Sequence, residues 1–530
     1  MFQTLTPNDF LRRASRHFPE KLALVDEPKQ FTYAELQSRA NRLSNALLAL
    51  GVEKGDRVAI LSPNTHWMFE SFFGVPQIGA VLVPLNYRLM AEDFLYILNH
   101  SGSKVLLLDW EYVDPIRQIR RDVPDLKEII FLRDSQAISQ GLEGRDIEPL
   151  LAQSSDHDPP DPGLDERDTC TLNYTSGTTA RPKGVMLSHR ALACNVLDFT
   201  VHLGVTYRDV YLHTLPMFHA NGWGGIWAIT GMGGTHVCLR KVDPTEIYRN
   251  ITQHGITFAC AAPTVLVSIA NAKEAAPGCL RGFRLGTAGA PPPAAVLERM
   301  EALGAQVIHV YGLTETGPFL TVCEWKPDFD PLPPVERSRI KARQGVSQLL
   351  ADTRVLNDDL TEVPHDGKTI GEVCARGHVF MTGYYNQPEE TEKAFAGGWF
   401  HSGDLAVVQP DGYIEIVDRK KDVIISGGEN ISSVEVEGVI YKHPAVMEVA
   451  VIGVPDSKWG EVPRAVVVLR PDMSATEPEL IDFCRSRMAH FKAPKGVDFV
   501  EALPKTATGK TQKFALRERY WKDKETRVQG

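Results

Sequence analysis

Residues 171–184 read TLNYTSGTTARPKG. An apolar, strand-like run enters a loop of Thr, Ser and Gly and leaves it through a Lys held between Pro and Gly. Such a loop offers backbone N–H groups, hydroxyls and one cation over a short span, which suits a polyphosphate. It is not the common P-loop, whose Lys is followed by Ser or Thr, because here Lys183 precedes Gly184. Gly509-Lys510-Thr511 imitates the end of that pattern but does not complete it, because the first glycine would fall at Pro504. The same residue types also build ordinary turns between strands, so by itself the loop at 175–184 leaves both readings open.

Working outward, helix and strand patterns alternate on both sides. Residues 32–51, TYAELQSRANRLSNALLALG, carry Thr32 and Glu35 as a capping box, Leu36, Ala40, Leu43, Leu47 and Leu50 on one face, and Gly51 as a stop. Strand-like RVAIL follows, then helix-like AEDFLYILNH and strand-like KVLLLD. This alternation predicts an α/β fold with covered sheets. Residues 153–168, QSSDHDPPDPGLDERD, read as a polar surface connection between subdomains. After residue 420 the features are those of a small domain: VMEVAVIGV, RAVVVLR and helix-like PELIDFCRSRM. A boundary is expected there, giving a large domain over 1–420 and a smaller α+β domain over 421–530.

At 530 residues, with 43% hydrophobic and 23% charged residues, the chain is an ordinary globular protein of more than one compact unit. The 42 Gly and 35 Pro follow no repeat, which excludes collagen-like and largely disordered readings. A formal charge of -10 argues against a nucleic-acid binder. From Lys505 onward, however, 8 basic residues face 3 acidic ones, a local positive tail that a phosphate-rich ligand could meet. Residues 1–21 lack an uninterrupted apolar run, and the longest apolar stretch, 258–269, is too short for a bilayer span of about 20 residues. A cytoplasmic chain with no transmembrane segment is expected; a homodimer is left open. The eight cysteines show no CxxC or paired-His spacing, so neither a zinc site nor a disulfide framework is expected.

Further motifs recur in one order along the chain. TAGAP spans 287–291, YGLTET 311–316, WFHSGD 399–404, DRKKDVIISGGEN 418–430 and PKTATGK 504–510. Together with YTSGTTARPKG they resemble the signatures of the adenylate-forming superfamily: acyl-CoA synthetases, peptide-synthetase adenylation domains and beetle luciferases. The resemblance covers nearly the whole chain. It implies a large N-terminal domain of α/β subdomains that binds AMP and the acyl substrate, with a mobile C-terminal domain carrying a catalytic Lys.

By the same resemblance, Thr175, Ser176, Gly177, Thr178, Thr179 and Lys183 form the loop that cradles the β- and γ-phosphates of ATP. Gly289, Ala290 and Pro291 lie on the adenine side, Tyr311 stacks on adenine, Gly312 borders nucleotide and acid, Thr314 touches the α-phosphate and Glu315 holds Mg²⁺. Asp404 and Arg419 bind ribose, Lys421 is the pivot of a domain rotation, Gly427 and Gly428 admit the pantetheine arm of coenzyme A, and Lys510 bridges the substrate carboxylate and the α-phosphate. Thr175, Glu315 and Lys510 would carry the catalysis. Ala180 stands where many relatives have Gly.

Residues 215–225, LPMFHANGWGG, resemble the fatty-acyl or medium-chain branch, in which the His-x-Asn and the following Trp line the acyl tunnel. His219, Asn221 and Trp223 are thus the substrate candidates, although a His on an apolar segment is also a common packing residue. Trp223 and Trp227, four apart, would share a face if helical. Phe218 is followed by His219 and not by the Asp usual in amino-acid-activating domains, which disfavours an amino-acid substrate. The expectation is ATP-dependent ligation of a carboxylic acid, a fatty acid foremost, to CoA through an acyl-adenylate. Two alternatives stay open: an acyl-AMP ligase loading a carrier protein, and a catalytically silent nucleotide-binding protein of the same fold.

Overall fold

The computed structural model of the chain describes residues 3–133, 141–175, 181–427, 429–456, 458–505 and 511–521. Two compact units emerge: one of Met1–Ala342, Val346–Thr353 and Ala375–Trp399, the other of Arg343–Gly345, Arg354–Cys374 and Phe400–Gly530. A large α/β part and a smaller part follow, as expected. The residue expected as pivot, Lys421, lies inside the second unit.

In the first unit the helix Tyr33–Ala49 forms where the sequence places it. Thr32 accepts from the Glu35 N–H while Glu35 accepts from the Thr32 N–H, closing the capping box, a device that contributes about 1 kcal/mol. Leu36, Ala40, Leu43 and Leu47 are buried, each leucine stabilising the fold by roughly 1.5–3 kcal/mol. The opposite face binds the acidic connection: Asn41 Nδ2 donates to Asp158, Arg42 Nη2 to Asp156 and Asn45 Nδ2 to the Ser155 carbonyl. Residues 154–168 contain no helix or strand, in line with their composition.

Among the described residues the first unit has two sheets. One runs, in spatial order, Gly383–Tyr384, Lys183–Ser188, Thr169–Thr175, Val81–Pro84, Arg57–Leu61, Ser103–Asp109, Glu128–Leu132 and Arg145–Asp146. Its strands are parallel except where Lys183–Ser188 turns back on Thr169–Thr175 and pairs with Gly383–Tyr384. The other has a parallel centre in which Phe258–Ala261, Arg284–Thr287 and Gln306–Gly312 are neighbours. Parallel neighbours release their carboxyl ends at one edge, so this sheet delivers the segments 287–291 and 311–316 side by side.

The second unit has the antiparallel pair Phe400–Val408 and Ile414–Arg419. A further sheet orders Glu429–Ile431, Ile424–Ser426, Gly460–Leu469 and Val446–Asp456, with Gly496–Phe499 also on Gly460–Leu469. Val436, Ile440, Val451, Val467 and Leu480 fill its core, and the expected helix appears as Glu477–Arg485 with its own capping box at Thr476 and Glu479.

Candidate active site

The strand Thr169–Thr175 ends at the mouth of the Ser/Thr/Gly loop, and Thr175 pairs across the ladder with Lys183, the first residue of the returning strand. Ser176, Gly177, Thr178, Thr179 and Ala180 lie outside the described residues. Lys183 is mostly buried and its Nζ is 2.5 Å from Glu390 Oε2, which holds the Glu390 carboxyl below its usual range. The same ammonium stands 4.7 Å from the ring centre of Tyr384, a cation–π distance. The Tyr384 hydroxyl in turn donates to Glu315 Oε1 at 3.0 Å. One tyrosine thus joins the loop's cation to the carboxylate of 311–316, two motifs more than a hundred residues apart in sequence. Burial, and next the Glu315 charge, push the Tyr384 phenol up, so it stays a donor.

Tyr311 and Gly312 end the strand Gln306–Gly312, where the register with Phe319–Val322 shifts. A Cβ on Gly312 would lie 1.7 Å from the Pro318 carbonyl oxygen, so only glycine fits. Thr314 and Glu315 follow in a short 3-10 turn held by Thr316, whose hydroxyl bonds the Leu313 and Pro318 carbonyls, and the Met381 N–H donates to the Glu315 carbonyl. Beside them Gly289, with φ of 94°, Ala290 and Pro291 are exposed after the strand Arg284–Thr287.

Among the described residues of the unit, the segment 219–224 has an unbroken run of left-handed backbone. Ala220, Asn221, Gly222 and Trp223 take φ of 43°, 56°, 57° and 61°, and Gly224 follows at 87°. A left-handed conformation costs a non-glycine residue about 1–2 kcal/mol, and three of these five have side chains, so packing must hold the turn. His219 is half-buried. Asn221 is 1% exposed, with its side chain turned to the strand Thr169–Thr175, where it bonds Thr171 and Asn173. Trp223 packs edge-on against Phe319 at 5.5 Å. The condition for Trp223 and Trp227 to share a helical face is not met: Trp223 lies in the left-handed turn, and only Trp227 is in the helix Gly225–Met232, buried edge-on against Phe72.

In the second unit Asp404 and Arg419 are cross-strand partners, Arg419 Nε standing 3.3 Å from Asp404 Oδ1. Asp418 is buried and takes the Ser433 N–H and hydroxyl. Lys421 is exposed, and its carbonyl accepts from Arg517 Nη1 at 3.2 Å while Arg517 Nη2 binds Asp422. Gly427, at φ 60°, turns the hairpin of Ile424–Ser426 and Glu429–Ile431; a Cβ there would meet the Trp459 ring at 2.6 Å. Gly428 and Lys510 lie outside the described residues; Lys505 and Thr511, bridged to each other, bracket the segment of Lys510.

Glu372, Cys374 and His401 bring ligating atoms within 4.8 Å of one another. Glu372 is already met by the Gly403 N–H at 2.9 Å and by Lys420 Nζ at 3.4 Å, and burial pushes the Cys374 thiol up to about 12, so the group is a charge-balanced network with a protonated thiol.

Sequence reading did not single out Tyr384, Glu390, Thr171 or Asn173. Tyr384 and Glu390 carry no local signal, whereas Thr171 and Asn173 are polar alternate positions in an otherwise apolar strand, a pattern visible in the residues themselves.

Comparison with known proteins agrees with this geometry. The AMP-binding enzyme family model matches residues 11–385, and that of the AMP-binding enzyme C-terminal domain matches 435–510. The chain is 44% identical to 4-hydroxybutyrate–CoA ligase 2 of Metallosphaera sedula, over 97% of this chain and 94% of that one. It is 42% identical to 2-methylpropanoate–CoA ligase CCL4 of Humulus lupulus, over 97% and 95%. The crystal structure of the anthranilate CoA ligase AuaEII with anthranoyl-AMP superposes with a TM-score of 0.88 at 27% identity, covering 98% of both chains. The chain belongs to the AMP-binding enzyme family and is an acid–thiol ligase that joins a carboxylic acid to CoA at the expense of ATP.

Proposed function

We propose that the chain activates a short-chain fatty acid, or an apolar acid of similar size, and transfers the acyl group to free CoA with release of AMP and pyrophosphate. The observation that carries this reading is the Lys183–Tyr384–Glu315 group at the mouth of the Ser/Thr/Gly loop: a cation and a carboxylate held on either side of one phenol. The size of the acid is supported by relatives named for 4-hydroxybutyrate and 2-methylpropanoate and by a structural neighbour named for anthranilate. His219 after Phe218 continues to disfavour an amino acid.

In this reading Lys183 leaves Glu390 for the β- and γ-phosphates, aided by Thr175 and Thr178, because a polyphosphate outcompetes one carboxylate for an ammonium. Tyr311 stacks on adenine beside Gly289, Ala290 and Pro291, and Asp404 and Arg419 take the ribose. Thr314 donates to the α-phosphate. Lys510 bridges the acid's carboxylate and the α-phosphate, and one carboxylate oxygen attacks phosphorus as the bond to pyrophosphate breaks. Glu315 is a hard oxygen donor of the kind Mg²⁺ takes, and the ion would offset phosphate charge there. The pivot at Lys421 then brings Gly427 and Gly428 to the pantetheine arm, and the thiol sulfur attacks the acyl carbon as AMP leaves.

A panel of acids from short to long and aliphatic to aromatic, scored for CoA-dependent AMP formation, tests the reading. Butyrate and 2-methylpropanoate are expected to lead, and EDTA to abolish the reaction. Absence of AMP formation across the panel, or turnover with a holo-carrier protein and none with CoA, overturns it. A cytoplasmic location is checked by fractionation, and a homodimer by sedimentation.

A further inference from the structure

We infer that Thr171, Asn173 and Asn221 act as a positioning device for adenylation, a closed ring of hydrogen bonds that keeps the acid-side turn in register with the phosphate-side strand. This rests on the function proposed above and adds two residues and a role to it.

The ring is complete. The Thr171 hydroxyl donates to Asn173 Oδ1, Asn173 Nδ2 donates to Asn221 Oδ1, and Asn221 Nδ2 donates back to the Thr171 hydroxyl, each at 2.9 Å. Within the ring every member gives one bond and takes one, and the Phe218 carbonyl, which can only accept, fixes Asn173 Nδ2 and with it the direction of the ring. Thr171, Asn173 and Asn221 are 0%, 2% and 1% exposed, and water does not compete for these bonds. Asn173 Nδ2 also reaches the Phe218 carbonyl at 3.5 Å, so the strand grips the turn both before and within its left-handed run.

Position on the strand gives the ring its reach. Residues 171, 173 and 175 point to one face of an extended strand, and the ladder is regular from Thr171↔Leu187 through Asn173↔Val185 to Thr175↔Lys183. Thr175 is therefore about 7 Å beyond Asn173 on the same face. That face holds the acid-side turn at one end and opens the phosphate loop at the other. In the strand TLNYT the two fully buried polar residues, Thr171 and Asn173, need such partners, and a turn with Asn221 at φ 56° needs an outside hold.

The chemistry makes the register matter once. During adenylation acid and ATP are separate molecules, and a misplacement of about 1 Å can cost a hundredfold in rate. After adenylation the acyl group and AMP are one molecule, and the protein no longer sets their spacing. Loss of the ring should therefore slow the first half-reaction and spare the second.

The test uses the full chain with butyrate and butyryl-adenylate, or the panel acid that wild type uses fastest. Acid-dependent ATP–pyrophosphate exchange reports the first step, and thioester formation from supplied adenylate the second. For Thr171→Val the exchange kcat should fall about a hundredfold, with KM for ATP and acid and the second step within about threefold of wild type; Thr171→Ser should recover to within about threefold. Asn221→Gly relieves the left-handed backbone while removing the side chain, so it should fold with an undiminished Tm and still lose exchange kcat. Equal loss in both half-reactions, or exchange at the wild-type rate in Thr171→Val or Asn221→Gly, overturns the device. Wild type without exchange for any acid overturns the proposed function itself, and the ring's role with it.

Discussion

The turn at 219–224 in the first unit and the segment 418–422 in the second are both expected to serve substrate, yet they are held in opposite ways. The turn is locked along its length: a left-handed backbone, neutral hydrogen bonds of 2.9 Å at Asn221, and Trp223 packed on Phe319. The other segment is pinned at its ends by two buried aspartates, Asp418 on Ser433 and Asp422 on Arg517, while Arg419, Lys420 and Lys421 between them are at least partly exposed. The contrast teaches where this chain spends strain. It does so at the turn proposed to keep two reactants in register, whereas the segment in which a backbone dihedral is proposed to change has no left-handed residue and is held by hydrogen bonds and ion pairs at Arg419, Lys420 and Lys421.

The largest effect should come from Lys510→Ala, which removes the cation proposed to bridge carboxylate and α-phosphate. Acyl-adenylate formation is expected to fall by about 10³-fold, with thioester formation from supplied acyl-AMP largely retained; equal loss in both half-reactions would remove Lys510 from the first step.

Next is Lys421→Pro, which attacks that segment directly by locking the φ angle. It should leave pyrophosphate exchange nearly intact and slow thioester formation on the order of a hundredfold, and wild-type overall turnover in this variant would rule out the pivot.

A third comparison sets two glycines against each other. Gly312→Ala drives a Cβ into the Pro318 carbonyl at 1.7 Å, and backbone cannot step aside, so a loss of about 3 kcal/mol in denaturant unfolding is expected. Gly427→Ala meets the Trp459 ring, a half-exposed side chain that can turn away, and its cost is the left-handed φ, about 1 kcal/mol. Equal costs would show that the two units are equally rigid at these points.

A pH-dependent effect lies in the packing just before the turn. Burial holds the His213 imidazole down to about 3, so it is neutral in the fold but protonated in the unfolded chain below about 6.5. The unfolded state then binds the extra proton, and stability present at pH 7 is lost as pH falls from about 6.5 towards 3, by up to about 1.4 kcal/mol per pH unit. Urea midpoints at pH 7.0 and 5.5 should fall less in His213→Gln than in wild type; identical slopes would contradict the assignment.

Much of the fold was legible because its signals are local. The capping box at Thr32 and Glu35 needs three residues of spacing, and the strands RVAIL and KVLLLD need only apolar runs between turn residues. The motifs around Thr175, Tyr311 and Asp404 could be read in order for the same reason. What could not be read was which side chains meet. Trp223 and Trp227 have helical spacing, but the backbone reverses its hand between them, and no local preference of Ala220 or Trp223 announces a positive φ.

By itself, then, the amino-acid order determined the α/β class, the helix ends, the order of the motifs that resemble phosphate, adenine and ribose segments, and the family chemistry they imply. Tertiary structure alone decided that Tyr384 stands between Lys183 and Glu315, that Glu390 occupies Lys183, and that Asn221 closes a ring with Thr171 and Asn173. The physical reason is range. Helix caps and strand alternation are settled by neighbours a few residues away, whereas Asn221 finds partners 48 and 50 residues distant only after a sheet and a strained turn have brought them within hydrogen-bond reach.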